Sequence, residues 1–211
     1  SFVPVLIEIP QCIQNRHTTG AAQGFQFPCG LYSVLGILVS GFGSTGTALN
    51  LATTILTMRC PGMTWGKLPL FVWLMLVNCL LTLIILTPLT AAQVMLLFDR
   101  YLGAHFFDTQ AGGSAVLWQH FFWFFGHPEV YVLILPAFAM ANEIVPVFSR
   151  KPLFGYPFMV GATVLIGFIS LSVWAHHMFV VGLSPAANTF FTLSTMAIAV
   201  PTGIKILNWL G

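Results

Sequence analysis

Charged residues are scarce in this chain. Lys and Arg number 7 and Asp and Glu number 5 among 211 residues, so 6% of the chain is charged while 57% is hydrophobic. A soluble globular chain carries roughly a quarter charged residues. So few charges cannot cover a water-facing surface, and the composition predicts an integral membrane protein. The absence of any basic or acidic run also argues against a nucleic-acid partner.

Closely spaced cysteine pairs are missing as well. The 4 cysteines form no CxxC motif. Cys29 and Cys60 flank one apolar segment, and a helix would place them roughly 45 Å apart, too far for a disulfide. Cys12 and Cys29 could meet, but we expect all the cysteines to be free thiols.

Long apolar runs take the place of charge. Five runs reach the roughly 20 residues that a helix needs to cross a bilayer. We therefore predict an all-α integral membrane bundle of five transmembrane helices over residues 28–211. Residues 1–27 are predicted to be an extramembrane segment, to which we assign no role. The predicted spans are Leu31–Met58, Leu70–Leu97, Val116–Val147, Leu153–Leu183 and Asn188–Leu210.

Basic residues concentrate in the loops on one side of the predicted bundle. Because basic loops stay on the cytoplasmic or matrix side of a membrane, we expect this side to be the inner one. Its basic residues are Arg59, Lys67, Arg150 and Lys151, whereas the other side has Arg16 and Arg100 offset by Asp99 and Asp108.

Three histidines lie inside apolar segments: His127 in FFGHPEVY, and His176 and His177 in VWAHHMF. An ionisable residue within a membrane span indicates function by default. Imidazole ligands suit copper, zinc or iron, and three of them leave a position open for substrate. Adjacent helical residues diverge by about 100°, so the pair can share one ion only through rotamers or a local helix distortion. The sequence predicts a buried three-histidine metal site.

Two further residues follow His127 on the third span. Tyr131 is four residues on and shares its helix face. Glu129 points roughly 200° away from His127 around the same helix. One helix would thus offer a ligand and a phenol to one site and a carboxylic acid to another surface. Glu129 would mark a hydrated path separate from that of Lys205 below, with Ser44 and Asn50 on the first span.

Lys205 is the charged residue of the fifth span. It lies roughly 26 Å inward from the outer end, close to the depth of about 24 Å expected for Tyr131. A buried lysine costs several kcal/mol unless it is paired or hydrated. We expect a hydrated path from the inner face, with Thr202 and Asn142 as polar neighbours.

Simpler interpretations hold for the other polar residues. His120 is expected near the membrane interface or in a structural hydrogen bond. His17 and His105 lie in extramembrane segments and are expected to face solvent. Glu143 is expected at the inner interface.

Several stretches closely resemble subunit I of the haem–copper cytochrome oxidases: WQHFFWFFGHPEVYVLILPAFAM, VWAHHMF and TMAIAVPTGIKILNWL, together with PLFVW and LLFDR. The resemblance covers residues 28–211 and implies helices four to eight of a twelve-helix fold. It implies reduction of O₂ to water coupled to proton pumping. His127, His176 and His177 would bind the copper of the binuclear centre. A covalent bond would join His127 to Tyr131, whose phenol would supply an electron and a proton to oxygen.

The resemblance also implies roles for other polar and aromatic residues. Glu129 resembles the gating carboxylate of one proton path. Trp123, Val130 and Trp174 are similar to residues around the copper and the haem. The remaining path positions are Ser44 and Asn50 before Glu129, and Lys205 and Thr202 on a second path that leads to Tyr131.

Departures from the family predict partners. The haem axial ligands and the acidic mouth of the carboxylate path are missing from this chain. Leu38 replaces a usual histidine, and Glu143 lies where a histidine or another polar residue is common. We expect a middle fragment of subunit I that shares haem with partner chains. The expected partners are other fragments of subunit I, subunits II and III, cytochrome c as electron donor, and membrane lipid.

Other assignments stay open at this point. A quinol oxidase of the same superfamily has a similar subunit I, and a non-catalytic scaffold fragment is the alternative outside enzymes. Tyr131 and Lys205 disfavour a nitric oxide reductase. The expected location is the mitochondrial inner membrane, with a bacterial plasma membrane as the alternative.

Overall fold

The computed structural model describes residues 22–211, with side chains described from residue 31 onward. The described part is built from helices, which confirms the all-α membrane bundle. Predictions for Cys12, Arg16 and His17 lie outside this part, as does the side chain of Cys29. The helices are α1 (Ala22–Thr57), α2 (Leu70–Tyr101), α3 (Ala115–Ser149), α4 (Tyr156–Ser170), α5 (Pro185–Ala197) and α6 (Ala199–Leu210), with 3₁₀ turns at Trp65–Lys67, Thr109–Ala111 and Trp174–Val181.

Five helical stretches are long and apolar enough to cross a membrane, in agreement with the five predicted spans. Their boundaries differ from the predicted ones by a few residues. The stretches are Leu31–Thr57, Leu70–Tyr101, Ala115–Ser149, Tyr156–Val181 and Pro185–Leu210.

The fourth and fifth spans are interrupted, unlike the first three. α4 ends at Ser170, where the Ser170 and Ser172 hydroxyls donate to carbonyls three residues back. Such local bonds compete with the regular helix ladder. The chain continues as the 3₁₀ turn Trp174–Val181, called the histidine turn below. In the fifth span, Pro201 has no N–H to donate to the carbonyl of Ala197, where α5 ends.

α2 lies at the centre of the bundle and packs against α1, α3 and α4. Leu74 and Ile85 are fully buried along it. Gly167 allows α4 to approach closely, since a Cβ there would lie 2.6 Å from Val77 Cγ1. One core cluster joins α2, α3 and α4 through Leu70, Leu74, Leu81, Leu135, Ala139 and Met159. This core fixes α3 and α4 relative to each other.

Hydrogen bonds fix the helix ends on the predicted outer side of the bundle. Ser114 accepts from the N–H of Leu117 and caps α3. Ser184 accepts from the N–H of Ala187 at the start of α5. Both carboxylate oxygens of Asp99 accept backbone N–H groups of the α2–α3 loop at 2.8 Å. Side-chain caps of this kind satisfy N–H groups that have no partner within a helix.

Candidate metal centre

Three imidazoles converge between α3 and the histidine turn. His127 comes from α3, and His176 and His177 from the turn. One nitrogen from each ring lies within 4.8 Å of the other two. His127 Nδ1 is 3.3 Å from His177 Nε2, which is 3.0 Å from His176 Nε2. The structure thus brings together the three histidines that the sequence singled out.

The neighbouring histidines share one site because the helix is distorted there. His176 and His177 lie in a 3₁₀ turn in which Met178 has non-helical angles, φ −128° and ψ 19°. A mid-span 3₁₀ stretch often marks a functional segment. A local helix distortion is one of the two ways, with side-chain rotamers as the other, in which neighbouring histidines were expected to share one ion.

Thr195 of α5 fixes the orientation of His176, and sequence reasoning missed it. Its Oγ1 donates to the carbonyl of Phe191 at 2.6 Å and lies 2.9 Å from His176 Nδ1. Because the hydroxyl proton is already used, the oxygen accepts from Nδ1–H. The lone pair of His176 is then on Nε2, which faces the other imidazoles. Metal-ligating histidines are typically oriented in this way.

Trp123 holds the most exposed ligand candidate, His177. The two rings stack with centroids 4.0 Å apart and planes 8° from parallel. Trp123 lies one helical turn before His127 on α3. The stack therefore ties the histidine turn to the helix that carries His127.

The donor set fits a bound transition metal. His127 is 8% exposed, and its Nε2 has no hydrogen-bond partner among the described residues. The nitrogen of His127 that faces the other rings is Nδ1, 3.3 Å from His177 Nε2, so Nε2 stays available for a different partner. Three neutral imidazoles suit copper, zinc or iron.

Tyr131 lies beside the site, as its spacing predicts. The ring centroids of His127 and Tyr131 are 5.0 Å apart. Glu129 is half-buried on the same helix, and no hydrogen bond within the described chain joins it to the histidines. Ser44 is half-buried and Asn50 exposed on α1. No hydrogen bond between described residues links either of them to Glu129.

Lys205 is fully buried, and its partner is one that the sequence did not predict. Its Nζ lies 2.6 Å from Thr163 Oγ1 on α4. Thr202 instead donates its hydroxyl to the carbonyl of Ile198 on its own helix. Asn142 accepts from Trp209 Nε1 at 2.8 Å. Packing of α6 on α4 directs Lys205 towards Thr163. The expected hydrated path with Thr202 and Asn142 as polar neighbours stays a prediction.

The remaining predicted positions are spread over the described chain. Trp174 Nε1 donates to His120 Nδ1 at 3.3 Å, which gives His120 the structural hydrogen bond expected of it as one alternative. Val130 is 51% exposed on α3. His105 faces solvent as expected, 3.6 Å from Asp108. Of the cysteines in the described part, Cys60 and Cys79 are free thiols, as predicted.

The fold defines a multi-pass helical membrane protein, and three of its histidines are placed so that they could hold a metal ion. The chain matches the family model described as Cytochrome C and Quinol oxidase polypeptide I over residues 2–211, and it belongs to that family. The match extends towards the N-terminus beyond the residues 28–211 that carried the resemblance.

Bacterial relatives agree with this family. "Cytochrome c oxidase subunit 1" of Bacillus subtilis (strain 168) is 53% identical over 179 residues, which are 85% of this chain and 29% of the relative. The protein of the same name from Alkalihalophilus pseudofirmus is 55% identical over 179 residues, with the same coverage of each chain. That from Corynebacterium diphtheriae is 51% identical over 184 residues, 86% of this chain and 32% of the relative. The chain therefore spans only about a third of the length of these relatives.

Proposed function

We propose that this chain forms the copper-site portion of the catalytic subunit of a cytochrome c oxidase. The complete assembly would reduce O₂ to water and couple this reaction to proton pumping. The observation that carries the proposal is the convergence of His127, His176 and His177 beside the ring of Tyr131. Membership of the oxidase family supports the same reaction.

Copper is the metal that we assign to the three histidines. Bound there, it would supply the redox chemistry of oxygen reduction. The chain's own residues prepare the imidazoles: Thr195 keeps the Nε2 lone pair of His176 free, and Trp123 holds the ring of His177. The Nε2 atom of His127 is buried and has no hydrogen-bond partner among the described residues, so this second ring nitrogen is available for another bond.

Tyr131 would supply a proton and an electron from its phenol. We propose a covalent bond between a nitrogen of His127 and a ring carbon of Tyr131. Its formation breaks one N–H and one C–H bond, and O₂, the proposed substrate, would accept the two electrons and two protons released. The support is their one-turn spacing, the 5.0 Å separation of their centroids and the free imidazole nitrogen. Such a bond would hold the phenol beside the reacting oxygen, and fixed orientation contributes strongly to rate.

Two proton paths complete the proposal. Glu129 would end one path, with Ser44 and Asn50 along it. Lys205 would serve the second path towards Tyr131, with Thr202 and Asn142 near it. The support for the second path is a lysine that is 0% exposed within an apolar bundle, since such a residue is rarely present without a function.

Haem and partner chains belong to the same proposal. Haem would contact this chain at Val130, Trp123 and Trp174, while its axial ligands come from elsewhere in the assembly. The other parts of subunit I, subunits II and III, cytochrome c as donor and membrane lipid are the proposed partners. The relatives named above are bacterial, so we propose a bacterial plasma membrane and do not retain the mitochondrial one.

Purification of the complex from native membranes in mild detergent tests this function. Mass spectrometry of the accompanying chains, with copper and haem analysis, should find haem, copper and the rest of the oxidase subunits. Oxidation of reduced cytochrome c should exceed that of quinol. Recovery with an intact second subunit I, and without copper assignable to this chain, would make it a scaffold instead.

A further inference from the structure

We infer that Thr163 is a positioning residue that holds the ammonium group of Lys205 in place for proton delivery. The inference rests on the proposed function of Lys205 and adds a residue that no part of that proposal requires. It starts from one contact between two spans, the 2.6 Å hydrogen bond from Lys205 Nζ to Thr163 Oγ1. Both residues are 0% exposed.

The hydroxyl of Thr163 has a fixed orientation. Its proton is donated to the carbonyl of Met159, one turn earlier on α4, at 2.8 Å. A hydroxyl has one proton to donate and two lone pairs to accept with. With the proton used inside α4, the lone pairs remain for a donor on another helix. Thr163 therefore presents an acceptor to Nζ and cannot act as the donor in this contact.

Lys205 has few other ways to stabilise a charge. Within the part of the chain that has been described, Thr163 Oγ1 is its hydrogen-bond acceptor, and no carboxylate forms an ion pair with it. The ring of Phe138 lies 5.8 Å from Nζ, at the outer limit of a cation–π contact. An ammonium group carries three donors. One neutral acceptor and one aromatic ring satisfy it only in part.

This partial satisfaction suits a group that must gain and release a proton. Buried ammonium groups are costly unless they are paired. A carboxylate partner would form a strong ion pair and hold the charge in place. A single neutral hydroxyl stabilises the protonated amine more than the absence of any partner would. It binds the amine less strongly than a carboxylate, so the proton can still be released. Thr163 would thus help Lys205 to take up a proton without preventing its later release.

The position of Thr163 depends on the close approach of α4 to its neighbours. Gly167, one turn further along α4, packs against Val77 of α2, and Met159 lies in the core cluster. α4 also contacts α6, which carries Lys205. Thr163 is therefore held on a well-packed helix, so its hydroxyl is a fixed point for a long, flexible side chain.

The test uses the purified complex with four single variants, Thr163→Val, Thr163→Ser, Lys205→Met and Thr90→Val, and with the double variant Thr163→Val/Lys205→Met. Valine removes the hydroxyl at nearly constant volume, and serine restores it. Thr90 is the matched control, because among the described residues its hydroxyl bonds only to the carbonyl of Leu86 on its own helix. The rate of anaerobic reduction of the metal centre, the copper and haem contents and the thermal midpoint of the complex are measured for each.

We expect Thr163→Val to slow the anaerobic reduction by about tenfold or more, the scale of a lost hydrogen bond to a charged group. Thr163→Ser should stay within about twofold of the unmodified complex, as should Thr90→Val. In the Lys205→Met background, Thr163→Val should have no further effect on the rate. The effect of Thr163→Val on the thermal midpoint should also be smaller in the Lys205→Met background. This comparison detects the coupling between the two residues without requiring turnover.

Different outcomes separate the two proposals. If Lys205→Met slows reduction and Thr163→Val does not, the role of Thr163 is wrong and the lysine path stands. If Thr163→Val slows reduction equally with and without Lys205, the residue acts through packing and the inference fails. If Lys205→Met itself has no effect, the lysine path and this inference both fall. Should the valine variant not assemble, Thr163→Ala replaces it under the same criteria.

Discussion

At the scale of single residues, the three histidines are held by three different means. His127 is buried within α3, His176 is fixed by the hydroxyl of Thr195, and His177 is stacked on Trp123. Each restraint acts on a ring rather than on the backbone. Together these restraints keep one nitrogen of each ring within 4.8 Å of the other two.

Tyr131 provides the first test at this scale. In the assembled complex, Tyr131→Phe should abolish O₂ consumption and leave copper content unchanged, because it removes a phenol oxygen beside the ligands rather than a ligand. Oxygen-electrode assays and metal analysis measure these effects. Tyr32→Phe is the control, since Tyr32 is 69% exposed on α1. Normal O₂ consumption by Tyr131→Phe would disprove the redox role.

Glu129 is tested through proton uptake. Glu129→Gln removes the only proton that this side chain can release, so proton uptake late in the cycle should be blocked and pumping lost. Measurements with the complex in vesicles and a pH-sensitive dye check this. Glu143→Gln serves as control, because Glu143 is exposed on the same helix. Unaltered pumping by the Glu129 variant would contradict the assignment.

Lys205 is tested through reduction of the metal centre. Lys205→Met keeps the length of the side chain and removes its proton carrier, so anaerobic reduction should slow by at least about tenfold. Stopped-flow absorbance follows this reaction. The control is Lys151→Met in the exposed α3–α4 loop. A normal rate in Lys205→Met would place the second proton path elsewhere.

At the scale of elements, the break after α4 brings the histidines of the candidate metal centre together. A continuous helix would place His176 and His177 about 100° apart. The 3₁₀ turn changes their direction, and α5 supplies Thr195 to the turn. Ser194 of α5 strengthens this contact by donating to the carbonyl of Ser172 at 3.2 Å. The site therefore depends on how α3, the histidine turn and α5 pack together.

Thr195→Val tests that dependence. Loss of the acceptor for His176 Nδ1–H should let the imidazole rotate or change tautomer, and copper affinity should fall by roughly 10–100-fold. Copper retained during dialysis against a chelator measures the change. Thr192→Val is the matched control on the same helix, because Thr192 is exposed and its hydroxyl bonds, within residues 31–211, only to the carbonyl of Asn188. Equal copper retention in the two variants would rule out the orienting role.

At the scale of the whole molecule, burial is uneven among the spans. In the most apolar 18-residue stretch of α2, 44% of the residues are buried, and the same holds for the fourth span. In the first, third and fifth spans the corresponding shares are 17%, 17% and 11%. Val180, beside the metal centre in sequence, is 96% exposed. Large apolar faces of this kind are covered by lipid or by other protein. This agrees with a chain that spans about a third of its relatives and is proposed to work within a larger assembly.

The sequence alone determined the class of the protein and one side of its site. Scarce charge and five long apolar runs required a membrane bundle, because unpaired charge and backbone polar groups are costly in lipid. The spacing of His127 and Tyr131 put both on one face of α3, since helical periodicity acts over a few residues. Lys205 stood out because it is a charged residue in an apolar span.

Only the tertiary structure decided which residues meet across helices. His127 and His177 are 50 residues apart, Thr163 and Lys205 are 42 apart, and Asn142 and Trp209 are 67 apart. Local periodicity fixes the face of each helix but not the register in which two helices pack. That register follows from core contacts such as Gly167 against Val77. For this reason Thr163 and Thr195, ordinary threonines in sequence, could be identified only once the helices were packed.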